Sequence, residues 1–149
     1  MRPRIAPGPI AVIAAFTIST GLSAQGREYV NPATVEDGGL PFSGAVWIDD
    51  MLYLSGTIGL LPDQSVPETA EEEARLVLDN VKATLEAAGL EMDDLVTVQV
   101  FCSDVSHYAA FNEVYRTYFT GAFPARAFVG VGTLLFDARF EVQGIASRR

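Results

Sequence analysis

Two short segments near the end of the chain alternate residue by residue, Phe123-Pro-Ala-Arg-Ala-Phe-Val-Gly-Val-Gly and Ala138-Arg-Phe-Glu-Val-Gln-Gly-Ile-Ala. They flank a Gly-Thr-Leu-Leu-Phe-Asp connection, and period-two alternation over this length is the pattern of β-strands. In the first, Arg126, Phe128 and Gly130 share one face, and Ala127, Val129 and Val131 share the other. In the second, Arg139, Glu141 and Gln143 lie opposite Phe140, Val142 and Gly144. If the two strands are neighbours, a register with Arg126 facing Glu141 or Gln143 puts both charges on one face. The pattern alone leaves two readings: a cross-strand ion pair, or an anion clamp beside an acid–base carboxylate.

The preceding chain supplies what such strands pack against. Ser43 to Ile48 reads as extended, Asp49-Asp50 as a tight turn, and Met51-Leu-Tyr-Leu-Ser as a second strand, together a hairpin. Gly56 and Gly59 close it, as turn glycines or as points of close approach. Thr69 followed by Glu72 is a capping box, and Glu68, Glu71 and Glu73 add negative charge near the positive helix end. Ala74, Val77/Leu78, Val81, Leu85 and Ala88 then recur at helical spacing until Gly89. Leu95 to Cys102 is a strand, with Val96, Val98, Val100 and Cys102 expected on the core face. Asp104 or Ser106 caps a second helix running to about Phe119, with Tyr108, Phe111, Val114/Tyr115 and Tyr118 as its apolar stripe. The order β-β-α-β-α-β-β predicts an α+β domain, a mixed sheet with two helices packed on one face. The other sheet face carries bulky residues, which suits burial against other subunits.

Composition narrows the chemistry. The formal charge is −9, with 19 acidic residues against 10 basic ones, which argues against a nucleic-acid partner. A single cysteine (Cys102) and a single histidine (His107) cannot build a His/Cys metal cluster. Cys102, among valines, reads as an inert buried thiol, and His107 as a surface residue. Residues 1–24 combine Arg2 and Arg4 with the apolar stretch Ile10-Ala-Val-Ile-Ala-Ala-Phe-Thr-Ile, and Leu22-Ser-Ala24 follows. This is the pattern of a secretory signal peptide cleaved near Ala24, with an uncleaved anchor as the alternative. Cleavage removes two arginines and no acid, taking the charge from −9 to −11. The expectation is a periplasmic or secreted domain at 25–149, with no membrane contact in its mature form; the segment from Gln25 to Phe42 reads as an irregular lead-in.

At this point the motifs as a set resemble a known family. Pro41-Phe-Ser-Gly-Ala-Val, Leu54-Ser-Gly-Thr-Ile-Gly, Leu78-Asp-Asn-Val-Lys-Ala-Thr-Leu-Glu-Ala-Ala-Gly, Val100-Phe-Cys-Ser-Asp-Val, Phe111-Asn-Glu-Val-Tyr, Phe123-Pro-Ala-Arg-Ala and Arg139-Phe-Glu-Val-Gln occur in this order. Together they resemble the Rid family (RidA/YjgF-like proteins), trimeric enamine/imine deaminases of chorismate-mutase-like fold. The resemblance implies hydrolysis of 2-imino or enamino acids to 2-oxo acids and ammonia, without cofactor or metal, in pockets between subunits of a homotrimer. It implies Arg126 as the substrate-binding arginine and Glu141 as the acidic residue that positions or activates water. Ser55 and Gly56 match the Ser-Gly bordering the pocket, Asn112 the asparagine of the second helix, and Phe128 a position whose backbone faces the ligand. Two positions depart: Phe42 stands where the family usually carries a tyrosine, and Gln143 where its commonest members have a second glutamate. The missing hydroxyl at Phe42 keeps a second reading open, a non-enzymatic trimer of the family that binds small carboxylates or holds proteins.

The residue types suit that chemistry on their own terms. A guanidinium grips a planar carboxylate with a fixed fork. A carboxylate nearby can serve as general base and then acid, and the imine is already electrophilic, so an acceleration of about 10²–10⁴-fold is all that is required.

Overall fold

The computed structural model describes residues 26–32 and 41–148. The leader expected at 1–24 lies outside them. Within the described residues the elements are β1 (Glu28–Val30), β2 (Ala45–Ile48), β3 (Met51–Ile58), α1 (Ala70–Ala87), β4 (Leu95–Cys102), α2 (Tyr108–Tyr115), β5 (Ala125–Gly130) and β6 (Phe140–Ser147). This is the α+β arrangement expected, with one strand added. β1 falls in the segment read as irregular, because three residues (Glu-Tyr-Val) are too few to display an alternation.

The six strands lie in the order β1-β2-β3-β6-β4-β5. The β2–β3 hairpin turns at Asp49, whose φ is 55°, and pairs Ile48 with Met51. β4 and β5 are parallel, joined through α2, and every other pairing is antiparallel. β6 therefore returns between β3 and β4, and β4 separates it from β5. The two alternating segments are not neighbours, which removes the premise of an Arg126–Glu141 cross-strand pair.

Helix α1 begins as its sequence dictates. The Thr69 hydroxyl accepts from the Glu72 amide, and the Glu72 carboxylate accepts in return from the Thr69 amide. Ala74, Val77, Leu78, Val81 and Leu85 are buried against the sheet. Burying a side chain of this size contributes about 1.5–3 kcal/mol, so this stripe is what docks the helix. The second helix is shorter than its apolar stripe suggests. Only Tyr108–Tyr115 is α-helical, flanked by 3₁₀ turns at Val105–His107 and Arg116–Tyr118. Asp104 caps the first turn by accepting from the Ser106 amide, a bond that also holds its carboxyl below the usual carboxylate range.

Three further expectations change. Leu95 is 6% exposed and Val96 is 49% exposed, the reverse of a regular alternation. The β4–β6 register shifts between Leu95 and Thr97, so the strand changes face there. His107 is half-buried, its ring edge-on to Phe140 at 6.1 Å, rather than on the surface. Glu73, read as one of several helix-start charges, is fully buried and anchors the entry to β6. Cys102 is buried as expected, and desolvation raises its thiol pKa.

Candidate active site

The residues singled out from the sequence fall into two groups, one on each face of the sheet. Arg126 and Phe128 project from β5 toward α2. The Phe128 ring meets Tyr108 edge-on at 5.0 Å and Phe111 at 5.6 Å. Arg126 donates through Nη2 to Asn112 Oδ1 at 2.7 Å, and its Cζ lies 4.6 Å from the centre of the Tyr115 ring. The Tyr108 and Phe128 rings stand at 5.8 Å from the same carbon. These contacts are to a neutral amide and aromatic rings, so the guanidinium keeps its charge and part of its donor fork for an anion. A cleft of about 180 Å³ opens beside it, lined by Asn112, Tyr115, Phe123 and Pro124. Burial pushes the Tyr115 hydroxyl up to about 12, so it stays protonated.

The second group lies where β2 ends and β3 runs on. β2 pairs with β3 only as far as Ala45 opposite Leu54, leaving Ser55 to Ile58 flanked by β6 alone. The entry to that gap is held by Ser55, whose amide donates to Gly44 O at 2.9 Å and whose hydroxyl donates to Ser43 O at 2.7 Å. A pocket of about 590 Å³ results, lined by Phe42, Ser55, Gly56, Ile58, Phe136 and Glu141 among others. Glu141 is the acid in it. A Cβ built on Gly56 would overlap Glu141 Oε1, so this glycine is a point of close approach inside a strand and not a turn residue. Gly59 is similar: a Cβ there would come within 2.6 Å of Glu73 O and 2.7 Å of Val77 N on α1.

The structure thus brings Phe42, Ser55, Gly56 and Glu141 together, and separately Asn112, Arg126 and Phe128. It does not join the groups within one chain. Glu141 pairs across β4 through Phe101 to Val129, on the face opposite to Arg126. Two strand spacings and three residues along β5 separate their backbones by roughly 14 Å in the plane of the sheet. Sequence reasoning passed over Tyr108 and Tyr115, which frame Arg126. Their i, i+4 and i, i+3 spacing to Asn112 was the available signal, and it was absorbed into the core stripe. Among the described residues no group of three His, Cys, Asp or Glu side chains could hold a metal ion, and no helix is long and apolar enough to cross a membrane.

Comparison with known proteins agrees with this architecture. Residues 37–148 match the family model described as endoribonuclease L-PSP. A 2-iminobutanoate/2-iminopropanoate deaminase of Mus musculus is 40% identical over 108 residues, covering 71% of this chain and 80% of that protein. The crystal structure of the E. coli YjgF gene product superposes with a TM-score of 0.75 at 36% identity, over 82% of this chain and 99% of that one. E. coli TdcF with bound serine gives a TM-score of 0.75 at 32% identity, over 82% and 99%.

Proposed function

The chain belongs to the endoribonuclease L-PSP family, that of the Rid and YjgF proteins, and from that premise we propose that it hydrolyses 2-imino acids to 2-oxo acids and ammonia. The observation that carries the reading is Arg126, a guanidinium oriented by Asn112 and aromatic rings, with its charge available to a carboxylate. TdcF binds serine, which presents the same carboxylate group. The family description names a nuclease, but a chain of charge −9 is poorly suited to gripping a phosphate backbone.

In this reading Arg126 holds the substrate carboxylate and Glu141 acts on water. Glu141 takes a proton as the water oxygen bonds to the C=N carbon and the C=N electron pair moves to nitrogen. The same carboxyl returns that proton to nitrogen to give the carbinolamine, then takes the hydroxyl proton and passes it to nitrogen, so that the C–N bond breaks, the C=O forms and neutral ammonia leaves. Because the two groups occupy opposite faces of one sheet, the reaction needs Glu141 from a neighbouring copy, and a homotrimer with sites between subunits supplies it.

The test generates 2-iminopropanoate with an amino-acid oxidase and traps it with semicarbazide. Wild type is expected to suppress trapping and Arg126→Ala to leave it untouched. If neither suppresses trapping while wild type still binds a 2-oxo acid, a second reading leads, that of a non-enzymatic carboxylate binder. Phe42, with no hydroxyl in the Glu141 pocket, is what favours that second reading. The leader reading extends the proposal to an exported protein, checked by mass spectrometry of the N-terminus from the extracytoplasmic fraction.

A further inference from the structure

Tyr108 lies one helical turn before Asn112, so both side chains share the face of α2 that looks onto Arg126. Its ring packs edge-on against Phe128, a contact that phenylalanine would make equally well, and the residue as a whole is 48% exposed. Packing therefore does not account for the hydroxyl.

Its neighbours do. Arg126 Nη2 occupies Asn112 Oδ1 at 2.7 Å, which leaves the Asn112 amide hydrogens as donors. Arg126 Cζ lies 5.8 Å from the Tyr108 ring centre, and Asn112 first, then Arg126, depress the hydroxyl's pKa below the ordinary value, with Arg116 adding a smaller pull in the same direction. A phenol whose neighbours are donors has its own proton left to give elsewhere. That proton is polarised by the nearby Arg126 cation, which strengthens it as a donor.

We propose that the Tyr108 hydroxyl donates a hydrogen bond to the carboxylate of the 2-imino or 2-oxo acid held by Arg126, making it a further substrate-binding residue of this site. The inference rests on the reading of Arg126 as the carboxylate clamp. It requires no hydrolysis. It also gives the anion a hydroxyl donor within the Arg126 group itself, independent of position 42.

The test uses the full-length protein and 2-oxobutanoate as a stable ligand, titrated by calorimetry from about pH 7 to about pH 10, across the range in which a depressed tyrosine ionises. Tyr108→Phe keeps the ring and should leave the melting temperature unchanged. It should weaken binding about ten-fold, the effect of removing a hydrogen bond to a charged group. Where turnover is measurable, KM should rise by about the same factor with kcat nearly constant, the mark of lost uniform binding. Ionised Tyr108 cannot donate and repels the carboxylate, so wild-type affinity should fall as pH climbs through its depressed pKa. The charged groups near this hydroxyl are Arg126 on β5 and Arg116 after α2. The falling limb should be missing from Tyr108→Phe. A variant that binds as tightly as wild type, or that keeps the limb, overturns the proposal and leaves the deaminase reading standing. Binding by wild type without turnover, still weakened in Tyr108→Phe, supports the proposal while the deaminase reading fails. A wild type that neither binds nor hydrolyses overturns both.

Discussion

The Glu73 carboxylate is fully buried, and it accepts from the Arg139 amide at 2.6 Å, the Phe140 amide at 3.0 Å and Arg139 Nη1 at 2.7 Å. One side chain of α1 thus satisfies the backbone at the start of β6 and the guanidinium beside it. Glu73→Ala would leave two amides without their acceptor and the Arg139 guanidinium with the Pro67 and Glu68 carbonyls but no counter-charge, and should destabilise the fold by about 3–5 kcal/mol in urea unfolding. A loss under about 1 kcal/mol would mean that water replaces the carboxylate easily. Tyr115 is the opposite case: its hydroxyl is buried with no hydrogen-bond partner among the described residues. Tyr115→Phe keeps the ring against Arg126 and removes an unsatisfied group, so stability should hold or rise by up to about 1 kcal/mol. A clear fall in melting temperature would show that the hydroxyl has a partner in the assembled protein. Neither role was legible in the sequence. Glu73 sits in a run with Glu71 and Glu72, and only the fold decides which of the three turns inward. Burial of a tyrosine ring, likewise, says nothing of where its hydroxyl ends.

Among the elements, β3 carries the most consequence for the site, because its last four residues leave the hairpin and line the Glu141 pocket. The two glycines there should respond differently to alanine. At Gly56 the obstacle is the far end of the flexible Glu141 side chain, so Gly56→Ala should fold and lose turnover as the carboxylate is displaced. At Gly59 the obstacle is α1 backbone, and Gly59→Ala should cost about 1–3 kcal/mol by prising the helix from the strand. Paired unfolding and imine-trapping assays separate the two, and equal stability losses would refute the distinction. Elements with a strong period were readable: the capping box and apolar stripe of α1, and the hairpin with its two-residue turn. What failed had a physical reason in each case. β1 is too short to show a period, the register shift at Leu95 and Thr97 reverses the faces of β4, and the close approach at Gly56 depends on a strand 85 residues later in the chain. Arg126 and Glu141 stood out as residues, but their relation did not, since no local pattern announces that β4 enters between β6 and β5.

On the scale of the molecule, the sheet face opposite the helices is covered by no described element. It exposes Tyr53 (44%) and Val129 (42%), with Phe101, Glu141 and Ile145 on the same side. An apolar surface of this kind is suited to a subunit interface. Assembly through it would bury the Glu141 face of one copy beside another, which is how two half-sites roughly 14 Å apart and on opposite faces could become one site. Mixing two inactive variants tests this directly. Arg126→Ala keeps the glutamate and Glu141→Gln keeps the arginine, and each alone should fail to suppress imine trapping. If every site takes its arginine from one subunit and its glutamate from the next, trimers re-formed from an equal mixture contain intact sites wherever a Glu141→Gln subunit supplies the arginine and an Arg126→Ala subunit the glutamate. Random assembly makes that about one site in four, so the mixture should recover about a quarter of wild-type turnover. A site built within one chain predicts no recovery at any mixing ratio. That outcome would require the chain to bring together two faces of its own sheet, which the order β6-β4-β5 does not allow without breaking it.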